Sequence, residues 1–108
     1  MTQEIDAGPV YLKRPLSLEG SAEEVYLRAA RLSIKMARDI AEHEYVPMPQ
    51  EGGPVIFKRR RPEESRLSGD GTLEETYDFV RMLDADGYPP AFLEHGGLRF
   101  EFSHASLR

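Results

Sequence analysis

One helical period constrains this chain more than any other feature. In "GSAEEVYLRAARLSIKMARDIAEH", Ser21 and Glu24 stand three residues apart at the entry, the spacing of a capping box. Val25, Ala29, Leu32, Met36 and Ile40 then recur every three to four residues. The spacing predicts a helix over Ala22–His43 that buries Val25, Leu32, Met36 and Ile40. Such a helix needs a surface for its apolar face. Ala29, Ala30, Ala37 and Ala41 suit a close approach to a sheet or another helix. The residues before it offer only Val10 to Leu12, between the Gly8-Pro9 turn and Lys13-Arg14-Pro15, which predicts one short strand. One strand and one helix do not make a core. The first part therefore reads as the tail of a larger α/β domain.

Beyond the helix, Pro47, Pro49 and Pro54 remove backbone donors and Gly52-Gly53 loosens the chain, so "EYVPMPQEGGP" is not helical. Val55-Ile56-Phe57 predicts a second short strand. "KRRRPEESRLSGDG" is charged and turn-rich and predicts a connection between two structural units. Thr72 and Glu75 form a second capping box. Leu73, Tyr77 and Val80 make one face of the helix that follows, with Phe79, Met82 and Leu83 beside it. "DADGYPP" stops that helix. Ala91–His95 and Leu98–Ser103 flank Gly96-Gly97, a hairpin signal. Leu98, Phe100 and Phe102 alternate with Arg99, Glu101 and Ser103, which predicts one buried and one wet face.

The 108 residues suit one modest domain, expected to bury roughly 60–70% of the surface of its unfolded chain. A net charge of −5 argues against a general binder of nucleic acid or anionic membrane. With no cysteine there is no disulfide, thiolate nucleophile or Cys-type zinc site. No apolar run approaches the roughly 20 residues of a bilayer span and no signal peptide is evident, so a cytoplasmic protein is expected.

Three candidate sites compete with plainer readings. Asp6 precedes a Gly-Pro turn, where an acid commonly bonds its own backbone. Lys58, Arg59, Arg60 and Arg61 can hold phosphates, or can be a solvated run balanced by Glu63, Glu64 and Asp70. His43, His95 and His104 match no zinc spacing, and no metal is expected. Asp84-Ala85-Asp86-Gly87 lacks the later glutamate of a calcium loop and reads as a turn. Phe92, Phe100 and Phe102 read as hairpin core, although such faces in OB-related folds can bind nucleic acid.

Three stretches taken together resemble the back half of the folate-dependent formyltransferases. They are "DAGPVYLKRPLSLEGSAEEVY", "PMPQEGGPVIFKRRRPEES" and "YDFVRMLDADGYPPAFLEHGGLRFEFSHA". That family includes the methionyl-tRNA formyltransferases and relatives that formylate amino sugars on nucleotides. The resemblance implies an α/β fragment, the last strand and helix of a Rossmann-like catalytic domain, followed by a small α+β unit like the start of an OB-related C-terminal domain. It implies residues 1–57 from the catalytic domain, 58–71 as linker, and 72–108 as helix plus hairpin. Ile5-Asp6-Ala7-Gly8 resembles the family's motif around its catalytic Asp, which makes Asp6 the catalytic candidate by resemblance. The donor implied for the full-length family is 10-formyltetrahydrofolate, and none is expected on this chain alone. The sequence departs from the family in one respect: it contains no Asn and so cannot hold the family's Asn-x-His pair.

The resemblance leaves three functions open. The chain is part of a formyltransferase acting on methionyl-tRNA or an amino sugar nucleotide and inactive alone, or a non-catalytic binding or assembly module, or a small subunit that completes a site with a separate N-terminal half. A homodimer or an N-terminal half is the expected partner through Val10–Leu12. A tRNA is a weaker expectation and no membrane is expected.

Overall fold

The computed structural model describes residues 6–108. The elements are helix α1 (Ala22–Glu42), a 3-10 turn (Pro62–Ser65), helix α2 (Leu73–Met82), and strands β1 (Ala91–His95) and β2 (Leu98–Phe102). The chain forms two compact units, one from Met1–Ser17 and Arg28–Lys58, the other from Leu18–Leu27 and Arg59–Arg108. No helix among the described residues is long and apolar enough to cross a membrane.

Both capping boxes form as the sequence dictates. The Glu24 N–H donates to Ser21 Oγ at 3.3 Å and the Ser21 N–H to Glu24 Oε1 at 3.4 Å. At α2 the Glu75 N–H donates to Thr72 Oγ1 at 3.1 Å and the Thr72 N–H to Glu75 Oε2 at 3.0 Å. Each pair satisfies two of the donors a helix start leaves unpaired.

In the first unit, Val25's successors on α1 form a half-buried stripe through Ala29, Leu32, Met36 and Asp39, and no residue of α1 is fully buried. Ile40, expected inside, is 44% exposed. The stripe passes instead through Asp39, 4.0 Å from Arg14. The two expected strands are also corrected. Among the described residues Val10–Leu12 makes one antiparallel bridge, Val10 to Met48, and 55–57 has no strand pairing. Val55 and Phe57 are exposed and Ile56 is 92% exposed. An apolar run becomes a strand only when a partner satisfies its backbone. The prolines at 47, 49 and 54 leave few donors for one.

The second unit holds the core. Val80 and Leu83 from α2 pack with Ala91 of β1, and Leu67, Phe79 and Phe102 close around them. The hairpin pairs Ala91 with Phe102, Leu93 with Phe100 and His95 with Leu98. Gly96 and Gly97 both take positive φ, 58° and 78°, as a two-residue turn matched to strand twist requires. The expected burial of one hairpin face holds only at its base. Leu98 and Phe100 are exposed, because α2 reaches no further than the Ala91–Phe102 pair with its buried residues. Leu73 and Met82, expected on the packed side of α2, are exposed as well. Phe92 points from the opposite face and is 2% exposed, covered by Arg66 and Arg99 at 5.0 and 3.7 Å from its ring centre.

The accessible surface totals 9757 Å². Against the roughly 17,800 Å² expected of the unfolded chain, about 45% is removed from water. The expected 60–70% is not reached. Four apolar residues of the described chain are buried: Val80, Leu83, Ala91 and Phe92.

Candidate functional site

The turn that carries Asp6 is built from two segments distant in sequence. Asp6 is exposed and has φ of 56°, in the left-handed region. That conformation costs an L-residue roughly 1–2 kcal/mol, less for Asp than for most. Two contacts hold it. Val10 and Met48 exchange both backbone hydrogen bonds, at 2.7 and 2.8 Å. Gln50 Nε2 donates to the carbonyls of Asp6 and Gly8, both at 2.8 Å. Asp6 is exposed, and its carboxylate makes no hydrogen bond or ion pair among the described residues. Ile5, the first residue of the motif, lies outside the described residues.

Beside the turn, Val10, Tyr11, Leu12, Val46, Met48 and Pro49, together with the exposed Lys13 and Glu51, line an open hollow of about 340 Å³. A folate donor does not fit it. Recognising a pterin calls for convergent polar groups in an enclosed site, and no buried polar side chain lines this hollow. Ser65 is the buried polar residue among those described, and it belongs to the second unit. Its hydroxyl is committed to the Pro89 carbonyl at 3.2 Å.

The basic run is divided. Lys58 belongs to the first unit and Arg59–Arg61 to the second. Arg60 donates to the Glu64 carbonyl at 3.1 Å and lies 5.9 Å from the Phe79 ring centre. The Arg61 N–H donates to Glu64 Oε2 at 3.0 Å, closing the turn at Pro62–Ser65. The guanidinium groups of Arg59 and Arg61 have no partner among the described residues.

Two of the three histidines, His43 and His104, are engaged locally. His43 Nδ1 lies 3.1 Å from the Asp39 carbonyl. His104 Nδ1 lies 3.1 Å from Ser103 Oγ, and its backbone N–H donates to Asp84 Oδ2 at 2.8 Å. Asp84 thus tethers the chain that follows β2, 20 residues on. Among the described residues no three His, Asp or Glu side chains gather as a metal site.

Two residues emerge only in three dimensions. Gln50 sits in a Pro-rich stretch and reaches 42 and 44 residues back. Arg81 Nη1 donates to the carbonyls of Leu18 and Gly20 at 2.6 and 3.0 Å, while its Nε holds Asp78 Oδ1 at 2.7 Å. No local pattern links these positions. The one available hint is a polar residue of high hydrogen-bonding capacity inside an otherwise apolar or proline-rich segment.

The family described as Methionyl-tRNA formyltransferase, C-terminal domain, matches residues 62–108. Among solved structures, a methionyl-tRNA formyltransferase from Clostridium thermocellum is 43% identical over 100% of this chain and 48% of its own, with a TM-score of 0.89. A 4-N formyltransferase from Francisella tularensis shares the fold, with a TM-score of 0.72 and 17% identity, over 100% of this chain and 49% of its own. The chain therefore spans about half the length of these two relatives. No curated protein matches it.

Proposed function

The chain belongs to the formyltransferase family, as its C-terminal half, and from that membership we propose that it supplies one carboxylate, Asp6, to a formyl-transfer site. The observation that supports this is the Asp6 turn. A left-handed acid, exposed and without a side-chain partner among the described residues, is held by contacts from a segment some 40 residues away. Strained backbone of this kind is retained where the surroundings fix it, and functional sites are where it gathers.

The reaction we propose moves a formyl group from 10-formyltetrahydrofolate to an amine, on methionyl-tRNA or on an amino sugar nucleotide. The new C–N bond forms as the bond to tetrahydrofolate breaks; Asp6 takes the proton that the amine sheds and would return it to the departing nitrogen. An ionised carboxylate only accepts hydrogen bonds, so it cannot stabilise the oxyanion that develops. The chain contains no Asn to do so. Both the oxyanion donors and the folate site would come from residues outside this chain, and the isolated chain is inactive on this reading. The partner is accordingly the N-terminal half of such an enzyme, meeting the hollow at Val10–Leu12. Arg59 and Arg61, whose guanidinium groups have no partner among the described residues, are candidates to hold a phosphate of the acceptor.

The test is a chimera in which these 108 residues replace the matching part of the Clostridium thermocellum enzyme. It is assayed with methionyl-tRNA and with an amino sugar nucleotide. The chimera should transfer formyl to one of them, and Asp6→Asn should abolish transfer. Formylation by the isolated chain, or full activity in the Asp6→Asn chimera, would overturn the reading.

A further inference from the structure

We propose that Gln50 is the positioning residue for Asp6: its side-chain amide replaces a missing rung of backbone pairing and fixes the turn that presents the carboxylate. The inference rests on the reading of Asp6 given above, and its test separates the two.

Register carries the argument. Val10 and Met48 form a hydrogen-bonded antiparallel pair. In such a ladder the next residues outward, Pro9 and Pro49, face each other without exchanging hydrogen bonds, so their missing N–H groups cost nothing there. The next hydrogen-bonded pair would be Gly8 with Gln50. Among the described residues the backbone bonding stops at Val10 and Met48. The Gln50 side chain continues it, donating one N–H to the Gly8 carbonyl and the other to the Asp6 carbonyl, both at 2.8 Å.

The chemistry requires an amide nitrogen. Both acceptors are carbonyl oxygens, so the group facing them must carry two N–H donors, and Nε2 does. A carboxylate of the same shape has none and would face two oxygens with negative charge. By spanning Asp6 and Gly8, the amide locks the residue between them and holds Asp6 in its left-handed conformation. Gln50 touches no reacting atom. It acts through the backbone of the residue that would.

Two substitutions separate this role from simple packing. Gln50→Glu keeps the shape and removes the donors. Gln50→Lys changes the shape and keeps an ammonium able to donate to both carbonyls. In the 108-residue chain, Gln50→Glu should raise amide hydrogen exchange at Val10 and Met48 at least tenfold and shift the Asp6 backbone carbon resonances toward ordinary negative-φ values. Gln50→Lys should restore part of both. In the chimera described above, Gln50→Glu should lower kcat ten- to a hundredfold with KM changed less than twofold, as expected for a misplaced catalytic group. If Asp6→Asn has no effect on kcat, the reading of Asp6 has failed. If Asp6→Asn abolishes activity while Gln50→Glu leaves exchange, resonances and kcat unchanged, this proposal is wrong. Equal loss in the Glu and Lys variants would also overturn it, because shape rather than donors would then be what matters.

Discussion

Arg81 shows how much one side chain can do where apolar packing is thin. Its guanidinium holds two carbonyls, a carboxylate and the neighbourhood of the Tyr77 ring, 5.9 Å from its centre. The planar fork matters, because a lysine ammonium is a point charge on a flexible stem. Arg81→Lys should therefore cost about 1.5–3 kcal/mol in urea denaturation, the range for hydrogen bonds to charged groups. A loss below about 0.5 kcal/mol would show that the two carbonyls find water equally well. Tyr88 offers a second test at this scale. Its hydroxyl donates to Tyr26 Oη at 2.9 Å, and that bond, aided by partial desolvation, raises its pKa above the usual value. The neutral form is the one favoured in the fold. The contribution is therefore complete below the unfolded value near 10 and lost as pH rises through the higher folded value. Stability of the wild type should fall above about pH 10 more steeply than that of Tyr88→Phe.

At the scale of elements, the caps and the core respond differently. Thr72→Ala should cost about 1 kcal/mol by losing the bond to the Glu75 N–H. Leu83→Ala should cost about 2 kcal/mol or more, since that side chain is buried. Leu32→Ala, on the half-buried stripe of α1, should cost about 1 kcal/mol, because less contact is lost there. Denaturant melts that rank Leu32 above Leu83 would contradict this. These elements also show what the sequence could convey. Ser21 with Glu24, and Thr72 with Glu75, were legible because a cap bonds within three residues of itself. Gly96-Gly97 was legible because only glycine enters that turn cheaply. Val10–Leu12 and Val55–Phe57 misled because a strand is a property of pairs, and an apolar run does not reveal whether a partner reaches it. Ile40 and Asp39 are adjacent, and a small rotation of the helix face decides between them. Asp6 is singled out by resemblance alone, and the hydrogen bonds from Gln50 across more than 40 residues leave no signal in the sequence.

The whole molecule leaves more surface in water than its mass predicts. A compact monomer of 12.3 kDa exposes roughly 6,100 Å², against 9757 Å² here. Tyr11, Ile34, Val46, Met48, Leu98 and Phe100 are among the large apolar residues left exposed. Since the urea m value follows the surface exposed on unfolding, it should be about two-thirds of that of a compact protein of equal length. An m value matching the compact protein would mean that the chain covers this surface in solution, for instance by self-association, which sedimentation would detect.

The path of the polypeptide through the second unit carries a consequence for protease digestion. Leu18–Leu27 and Arg59–Arg108 are one compact body although 31 residues of chain intervene. Where the intervening chain joins Arg59–Arg108 lies the run Lys58-Arg59-Arg60, exposed and outside any helix or strand, an open target for trypsin. A single cut there severs the covalent route but leaves Arg81 bound to Leu18 and Gly20, the Glu23 N–H on the Asp84 carbonyl, and Tyr88 on Tyr26. Briefly digested protein should therefore run as two bands on a denaturing gel and elute as one species from a sizing column. Two separated peaks would mean that the backbone, rather than these bonds, keeps the pieces together.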